Sequence, residues 1–417
     1  MFIVYDILFI VFAVCYTPYL LMKKKWHSGF KMRFGFLPEE LKERLSVKLN
    51  IWIHAVSVGE VLAVKRFIEQ MQKRYPDKQI VVSTVTQTGQ ELARKLFEDA
   101  VVLYAPLDLS WSVWQYLKAI HPVVYITAET EIWPNIFCLL NHRQVPIVQV
   151  NGRISDKSYG GYRTFKFFLE EILEYVQCFC MQTETDAERI IRIGARADRV
   201  CVKGNMKFDD DSAAIAQNYG AVFQDAQAPV WVAGSTHPGE EEIVLNAFQR
   251  LQLGDSACKL ILAPRHIERV PEIEAMLQKR EIIFTKFSDV LKNQAKADHV
   301  ILVDTIGHLR SLYAYALVVF VGKSLTGRGG QNIIEPASFG RLVVVGPHME
   351  NFRSVKELFV RNNALVTVQD EDELVSVLSD VLECPEKAEE IGRRGLMVIE
   401  QQRGAVERTL EQVARFI

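Results

Sequence analysis

The sequence has no excess of basic residues, few cysteines and no paired-cysteine motif. Lysine and arginine together number 49 against 51 aspartate and glutamate residues, so the formal net charge is -2 and the chain has no overall positive surface for nucleic acid. The seven cysteines are odd in number and lie mostly in apolar runs without CxxC spacing. This argues against a zinc motif and is typical of a reducing cytosol.

Two common phosphate-binding signatures are also absent. The glycine loop Gly327–Pro336 lacks the GxGxxG dinucleotide spacing, and no GxxxxGKS loop indicates a nucleoside triphosphatase. The chain contains no internal repeat and no low-complexity tract. Its 417 residues, 49% of them apolar and 24% charged, have the composition of a globular protein. That length predicts two domains of roughly 150 to 200 residues each.

The N-terminus departs from this average composition. Residues Phe2 to Met22 are nearly all apolar and are followed by three lysines, and roughly 20 apolar residues suffice to cross a bilayer core. No small-residue cleavage site precedes the lysines, and basic residues after an apolar run favour the cytoplasmic side. We therefore expect residues 1–25 to form a retained membrane anchor, spanning or interfacial, although Asp6 and Pro18 weaken a clean span. A buried core helix is the alternative.

From Ile51 onward, short runs of β-branched residues alternate with amphipathic stretches, which predicts βα units around parallel sheets. The predicted strands are Ile51–Val56, Gln79–Thr84, Val101–Tyr104, Val123–Thr127, Ile147–Asn151 and Cys178–Gln182, and then Val230–Ser235, Lys259–Ala263, Val300–Asp304, Leu317–Gly322, Leu342–Gly346 and Ala364–Val368. The two series predict an α/β protein with two Rossmann-like domains. Such sheets bind ligands at the carboxyl ends of their strands.

A polar segment of small residues, 207–227, separates the two series of strands and predicts an interdomain linker. The expected domains are therefore residues 26–206 and 228–385. The end of the chain, 386–417, lacks β character and has helical spacing of its apolar residues. We expect these residues to form helices that pack across the domain junction.

The motif HAVSVGE, residues 54–60, places Glu60 where the first predicted strand gives way to a helix. Ser57 and Glu60 have the spacing of a capping box, in which both side chains satisfy free backbone N–H groups. Alternatively, Glu60 is kept ionised by the helix N-terminus and acts as a general base at neutral pH. The pattern leaves both roles open.

The motif AETEIWPN, residues 128–135, also follows a predicted strand and carries two carboxylates. Glu129 and Glu131 are expected to orient an acceptor hydroxyl or to stabilise developing oxocarbenium charge. Alternatively, they are charges at the N-terminus of the helix that Pro134 begins. Lys207 lies near the predicted domain junction, where its cation can meet a phosphate or a donor carboxylate. A solvated linker lysine is the alternative.

Four loops of the second domain follow predicted strands and lead into helices. Their sequences are GSTHPGEE, APRHIER, DTIGHL and GRGGQNIIEP, beginning at Gly234, Ala263, Asp304 and Gly327. Helix N-termini bind anions through free N–H groups, and Arg265 offers a bidentate phosphate contact. Gly307 lets a base or ribose approach the backbone, N–H groups near Asn332 can face a phosphate, and Glu335 can accept two ribose hydroxyls. Together the loops predict a nucleotide site.

These motifs resemble those of the 3-deoxy-D-manno-octulosonic acid (Kdo) transferases of lipopolysaccharide biosynthesis over nearly the whole chain. The matching segments are the apolar N-terminus with its basic residues, HAVSVGE, STVTQTG, AETEIWPN, NGRISDKSYGGY, KGNMKFD, GSTHPGEE, PRHIER, DTIGHL, GKSLTGRGGQNIIEP and GPHMENF. Their number and order make the resemblance highly specific. It implies a GT-B glycosyltransferase fold, with two Rossmann-like domains, a cleft between them and an N-terminal membrane-anchor helix.

The resemblance also implies an activity, the inverting and metal-independent transfer of Kdo from CMP-Kdo to a lipid A precursor, lipid IVA, without a cofactor. The acceptor is expected in the N-terminal domain and CMP-Kdo in the C-terminal one. Glu60 is implied as the base that deprotonates the acceptor, with Glu129 and Lys207 supporting the transition state. The implied CMP contacts are Pro264, Arg265, Ile306, Gly307, His308, Asn332, Ile333, Ile334 and Glu335. The expected location is the cytoplasmic face of the bacterial inner membrane, with no nucleic-acid partner.

The chain departs from the usual pattern of the family at two positions. His308 stands where the family usually has glutamate after Gly307, and Lys323 stands where it usually has a second glycine. Backbone contacts would survive both changes. A side-chain role at position 308 is left open.

A metal site is an alternative to the metal-independent mechanism. Asp209 and Asp211 have the Asp-x-Asp spacing with which many sugar-nucleotide enzymes hold a divalent ion on a diphosphate. They lie in the predicted linker, however, and a CMP-sugar has only one phosphate charge, which helix N-termini and Arg265 can offset. We expect no catalytic metal.

Two other functions are alternatives to Kdo transfer. Another GT-B protein, such as a UDP-sugar transferase or a UDP-sugar 2-epimerase, would share the architecture without the HAVSVGE and AETEIWPN motifs. A membrane-tethered nucleotide-binding scaffold would keep the second-domain loops and tolerate the loss of Glu60.

Overall fold

The structure, a computed structural model, describes residues 5–7, 9–11, 13, 15, 29–209, 219, 228–253, 258–292 and 299–417. The chain divides into two compact units. The first unit comprises Met1–Asp210 and Gln402–Ile417, and the second comprises Asp211–Gln401. Each unit is built around its own seven-stranded parallel sheet, as the alternation of strands and helices predicted.

The sheet of the first unit contains one more strand than was predicted. Its strands are β1 (Asn50–His54), β2 (Gln79–Thr84), β3 (Val101–Tyr104), β4 (Pro122–Ala128), β5 (Ile147–Gly152), β6 (Cys178–Met181) and β7 (Val200–Val202). They lie in the order β3-β2-β1-β4-β5-β6-β7. The additional strand, β7, has three residues, none of them fully buried, at the edge of the sheet.

Helices cover both faces of this sheet. Among the described residues they are Phe30–Arg33, Glu39–Ser46, Val58–Ala63, Lys65–Arg74, Gln87–Leu96, Ser110–Ile120, Pro134–His142, Asp156–Thr164, Lys166–Leu173, Glu184–Arg192 and Ala405–Val413. The consequence is visible in β1, all of which is buried. Trp52 faces one hydrophobic core, and Ile51 and Ile53 face the other. A strand buried on both faces reads as a continuous apolar run rather than an alternating one.

The second unit repeats this arrangement. Its strands are β8 (Val230–Thr236), β9 (Lys259–Pro264), β10 (Phe284–Lys286), β11 (Val300–Leu302), β12 (Val318–Val321), β13 (Leu342–Val345) and β14 (Val366–Thr367), in the order β10-β11-β9-β8-β12-β13-β14. Its described helices are Glu240–Leu253, Val270–Lys279, Phe287–Leu291, Leu309–Leu312, Ile334–Ala337, Arg353–Arg361, Glu371–Glu383 and Pro385–Gln402. The short edge strand β10, of which only Thr285 is buried, was not predicted.

Part of the predicted linker is ordered within the first unit. Lys207 and Asp209 lie in a short 3-10 helix, Met206–Asp209, which contacts the C-terminal helix Ala405–Val413. Of the remaining linker residues, only Tyr219 is described. The predicted C-terminal helices belong to both units, because the chain returns to the first unit at Gln402.

The described part of the N-terminal segment is helical and contacts the first unit. The Asp6 carboxylate accepts hydrogen bonds from the Ser110 N–H (3.1 Å) and the Asn135 side-chain amide (2.7 Å). The Tyr5 ring stacks on Phe168. Within the ranges given above, no helix is long and apolar enough to cross a membrane. Most of the predicted anchor, residues 1–25, lies outside those ranges, so the anchor stays a prediction.

Candidate functional site

The carboxyl ends of β1 and β4 adjoin at the point where the strand order of the first unit reverses direction. The two strands pair in parallel, with His54 opposite Thr127. Glu60 follows β1, whereas Glu129 and Glu131 follow β4. Doubly wound sheets bind their ligands at such a reversal, because the loops on its two sides leave a crevice. The two acidic motifs of the sequence therefore meet at the expected position for a site.

Glu60 is buried, with 8% of its surface exposed. The Val56 N–H donates to its Oε2 (2.7 Å) and the Ser57 hydroxyl donates to its Oε1 (3.1 Å). Ser57 accepts no hydrogen bond from the helix Val58–Ala63 that it precedes. The predicted capping box is therefore wrong, because the serine hydroxyl serves the carboxylate rather than the helix.

The pKa of Glu60 is raised, contrary to the expectation that the helix N-terminus keeps this carboxylate ionised. Burial raises the pKa to about 7, and the Glu129 carboxylate adds to the increase. The hydrogen bonds from Val56 and Ser57 and the charge of Lys207 lower the pKa, but by less than burial raises it. A carboxylate that titrates near neutral pH is matched to general-base catalysis.

Glu131 is the second carboxyl group of this site with a raised pKa. Its pKa is raised to about 8, mainly by burial and in addition by the charges of Glu60 and Glu129. At neutral pH Glu131 is therefore mostly protonated.

Glu129 and Lys207 form an ion pair beside Glu60. The Lys207 Nζ lies 3.5 Å from the Glu129 Oε1, and both side chains are about one quarter exposed (23% and 26%). Lys207 is held there because the Asn151 side chain accepts a hydrogen bond from the Met206 N–H (3.0 Å). Lys207 is therefore not a solvated linker lysine. The three residues predicted to be catalytic lie together.

The helix-charge alternative for Glu129 and Glu131 is wrong. The helix after them begins at Pro134 and has no acidic residue in its first turn. Its free N–H groups at Asn135 and Ile136 donate instead to the buried Asp108 carboxylate (3.1 and 2.9 Å). Neither glutamate therefore caps this helix.

His54, at the end of β1, was given no role by the sequence analysis. It is fully buried, and its Nδ1 lies 2.9 Å from the Ser83 hydroxyl. Burial lowers the pKa of the imidazole to about 4, so it is neutral at pH 7. Its Nε2 has no hydrogen-bond partner among the described residues. Only the fold shows that this atom is enclosed and unpaired.

In the second unit, the strand order reverses between β8 and β12, and a fully buried glutamate ties the loops after them together. Glu240 accepts hydrogen bonds from the N–H groups of His237 (3.0 Å), Lys323 (2.7 Å), Ser324 (2.9 Å) and Leu325 (3.0 Å). The sequence analysis assigned it no role. Its carboxylate joins the predicted loop that begins at Gly234 to the residues just before the predicted loop that begins at Gly327.

The predicted phosphate contact, Arg265, lies directly after β9. Pro264 ends this strand and is buried, whereas Arg265 is exposed. The Arg265 backbone N–H donates to the Thr236 carbonyl (3.0 Å). The backbone is therefore fixed next to the loop after β8, and the guanidinium group is directed outward.

The loop that contains Gly307 has an accessible backbone next to an exposed isoleucine. Gly307 has φ +95°, a conformation that favours glycine, and Ile306 is 78% exposed. The His308 ring packs against Phe287, and its Nδ1 lies 2.5 Å from the Tyr219 hydroxyl. The imidazole is thus held within the second unit.

Asn332 and Glu335 contact each other. The Asn332 side chain accepts from the Ile334 N–H (3.1 Å) and donates to the Glu335 carboxylate (3.1 Å). The expectation that N–H groups near Asn332 face a phosphate is therefore wrong for Ile334, whose N–H is already used. The side chains of Ile333 and Ile334 are buried.

In the Asp-x-Asp alternative, the first metal ligand would be Asp209, whose carboxylate is already used. The buried Asp209 carboxylate accepts hydrogen bonds from the Gly404 and Val406 N–H groups, both at 2.5 Å. It therefore caps the C-terminal helix Ala405–Val413. Asp211 lies outside the described residues.

This chain is similar to known proteins both in fold and in sequence. The structure of UDP-GlcNAc 2-epimerase from Neisseria meningitidis superposes with a TM-score of 0.62 at 14% identity, covering 88% of this chain and 100% of that one. At such low identity, the likeness concerns the fold alone. In sequence, the 3-deoxy-D-manno-octulosonic acid transferase of Haemophilus influenzae is 32% identical over 375 residues, 88% of this chain and 87% of that protein.

A third relative is longer than this chain. The bifunctional glycosyltransferase/methyltransferase of Fusobacterium nucleatum is 33% identical over 388 residues, which is 90% of this chain. The chain spans 58% of the length of that protein.

The two Rossmann-like units have the architecture of the GT-B fold, and the similarity in sequence to Kdo transferases identifies the chain as a glycosyltransferase. The family profile of 3-deoxy-D-manno-octulosonic-acid transferases (kdotransferases) matches residues 28–210. The chain belongs to this Kdo transferase family. The UDP-sugar enzymes and the non-enzymatic scaffold are therefore excluded as alternatives.

Proposed function

We propose that this protein transfers Kdo from CMP-Kdo to a sugar hydroxyl of the lipid A precursor lipid IVA. One observation carries the proposal. Glu60 is a buried carboxylate with a pKa raised to about 7, and it lies beside the Glu129–Lys207 ion pair at the strand reversal. Membership of the Kdo transferase family supports the choice of the transferred sugar.

In the proposed reaction, Glu60 removes the proton of the acceptor hydroxyl while its oxygen attacks the anomeric carbon of Kdo. The new carbon–oxygen bond forms on the face opposite CMP, and the bond to CMP breaks. CMP leaves with the electron pair, so the anomeric configuration is inverted. Glu129 stabilises the oxocarbenium charge that develops on the sugar, and Lys207 offsets the negative charge of the donor.

The donor is proposed to bind the loops of the second unit without a metal ion or a cofactor. The exposed Arg265 guanidinium would pair with the single phosphate of CMP, and the Gly307 backbone would lie close to the nucleoside. Glu335, already oriented by Asn332, would accept the ribose hydroxyls. One phosphate carries less charge than the diphosphate of a UDP-sugar, so a cation and backbone N–H groups suffice.

A lipid acceptor requires the protein to work at a membrane surface, and we propose the cytoplasmic face of the inner membrane. The N-terminal segment supports this location because the described Ile7, Ile10 and Val11 are exposed. A variant that lacks residues 1–25 is expected to become more soluble and still bind CMP. If the truncated protein still pelleted with membranes, another surface would have to anchor it.

One incubation tests the proposed activity. Purified protein is mixed with freshly generated CMP-Kdo and a tetra-acylated lipid A precursor, and the lipid is weighed by mass spectrometry. We expect mass increases of whole Kdo units, whose number shows how many sugars are added. Parallel reactions with EDTA should proceed at the same rate. An unchanged lipid mass would refute the proposed acceptor or donor, and a loss of activity in EDTA that magnesium restores would refute the metal-free mechanism.

A further inference from the structure

Three cysteines of the first unit lie together on β6 and β7. Cys178 and Cys180 are two residues apart on β6 and therefore project from the same face of the sheet. Cys201, on β7, is paired directly with Cys180. The three sulfur atoms are 3.8 Å (Cys178–Cys180), 3.9 Å (Cys178–Cys201) and 3.9 Å (Cys180–Cys201) apart. We call this group the three-thiol cluster.

The spacing of the sulfur atoms matches the ligand spacing of a thiophilic metal ion. Tetrahedral zinc has zinc–sulfur bonds of about 2.3 Å, and ligands at the corners of such a tetrahedron are about 3.8 Å apart. A zinc ion about 2.3 Å from all three sulfurs would therefore fit without moving the strands. From this geometry we propose that the three-thiol cluster binds one zinc-like, thiophilic cation, independently of the transfer reaction.

The surroundings of the cluster are suited to a charged metal–thiolate group. Cys178 and Cys180 are buried, whereas Cys201 lies on the edge strand and is only partly buried, so an ion can enter on its side. Three thiolates and one divalent zinc carry a net charge of about -1. Lys203 and Arg415 act electrostatically on Cys201, so their positive charges can offset this excess. A water molecule entering past Cys201 would complete the tetrahedron.

Metal binding would stabilise the pairing of the edge strand β7 with β6 in the first sheet. β7 has only three residues, and its partner in the sheet is β6. From β7 the chain continues directly to Lys207, which pairs with Glu129. A metal ion shared by β6 and β7 would therefore stabilise the strand that leads to this lysine, without itself taking part in the chemistry.

Zinc binding by the full-length, tag-free protein tests the proposal. The protein is stripped with a chelator under reducing conditions, given zinc chloride and desalted, and its zinc content is measured. We expect about one zinc ion per chain and a higher melting temperature, because a ligand that binds the folded state stabilises it. Cobalt(II) should produce the strong near-ultraviolet absorption of thiolate-to-metal charge transfer.

Two variants separate the cluster from other sites. Cys201→Ser should weaken zinc binding by at least about a hundredfold, because it removes a ligand. Cys258→Ser removes another buried free cysteine, in the second unit, and should leave zinc content unchanged. The proposal is wrong if the parent retains no zinc, if its cysteines oxidise instead of binding metal, or if Cys201→Ser retains as much zinc as the parent. Should Cys201→Ser fail to fold, the cobalt spectrum of the parent decides alone.

Discussion

At the scale of single residues, the environment of Glu60 decides its chemistry. Exposed carboxylates are ionised at neutral pH and are weak bases. Burial at the end of β1 raises the pKa of Glu60 to about 7, while hydrogen bonds from Val56 and Ser57 keep the carboxylate in one orientation. The surroundings of the proposed base therefore set both its orientation and its pKa.

Replacement of this base tests its role directly. Glu60→Gln should reduce the transfer rate by at least about a hundredfold, because the amide keeps the size of the side chain but cannot take a proton. Initial rates from lipid mass spectrometry measure the effect, and calorimetry with CMP checks that the donor site is intact. Ser57→Ala, which removes one hydrogen bond to the carboxylate, is the milder control. A Glu60→Gln rate within about tenfold of the parent would exclude Glu60 as the base.

The pH dependence of the rate should report the pKa of Glu60. A general base works when it is deprotonated, so kcat/KM should rise with pH through about 7, and at pH 6 it should be roughly a tenth of its plateau. Lys207 lowers the pKa of Glu60, so Lys207→Gln should move the midpoint of the profile to higher pH. An unchanged midpoint in Lys207→Gln would assign the titration to another group.

Lys323 shows why a departure from the family pattern matters. Its φ is +57°, in the left-handed region that favours glycine, the residue that the resemblance to the family led us to expect there. Lys323→Gly should therefore raise the free energy of unfolding of the second unit by about 1 kcal/mol, measured in urea. Lys387→Gly, at an exposed position in the helix Pro385–Gln402, should lower it by a similar amount. Equal effects of both substitutions would contradict the proposed backbone strain.

At the scale of elements, the C-terminal helix depends on a distant residue. Ala405–Val413 begins after Gly404, whose own side chain cannot cap a helix. Asp209 supplies the cap from almost 200 residues earlier in the chain, with one carboxylate oxygen for the Gly404 N–H and the other for the Val406 N–H. Asp209, the first aspartate of the Asp-x-Asp pattern, thus has a structural role as a helix cap.

Removing this cap should destabilise the first unit. Asp209→Ala leaves two N–H groups without their acceptor in a buried setting, which should lower the free energy of unfolding by about 2 to 3 kcal/mol. Urea denaturation measures the change. The control is Asp198→Ala, which removes an exposed carboxylate paired with Arg196 and should leave stability nearly unchanged. Comparable losses in the two variants would show that the cap contributes little.

At the scale of the whole molecule, the proposed catalytic and donor-binding residues belong to different units. Glu60, Glu129 and Lys207 lie in the first unit, and the loops that carry Arg265 and Glu335 lie in the second. Each set is placed at the strand reversal or the strand ends of its own parallel sheet. Substitutions in one set should therefore affect donor binding and acceptor activation separately.

Measurements of donor binding test whether the residues of the second unit act separately from those of the first. Arg265→Ala and Glu335→Ala should each weaken binding of CMP-Kdo by about 1.5 to 3 kcal/mol, because each removes a charge-assisted hydrogen bond. Titration calorimetry with CMP is the readout, and binding of the lipid acceptor should be unchanged. Arg250→Ala removes an exposed arginine that pairs with Glu371 and Asp372 and serves as the matched control. Unchanged CMP affinity in both loop variants would move the donor site elsewhere.

Some features of this protein were readable from the sequence because they depend on neighbouring residues. Alternation of apolar strands with amphipathic helices predicted both parallel sheets, and the ordered motifs predicted the family. The strands β7 and β10 were not predicted, and each is an edge strand whose place is decided by pairing with a strand elsewhere in the chain.

Contacts between distant parts of the chain decided the rest. Burial and neighbouring charge set the pKa of Glu60, and the ordered 3-10 helix brings Lys207 to Glu129, 78 residues earlier in the sequence. Cys201 reaches Cys178 and Cys180 only because β7 pairs with β6. Sequence specifies which side chains are available, but desolvation and through-space charge exist only once the fold has placed those side chains together.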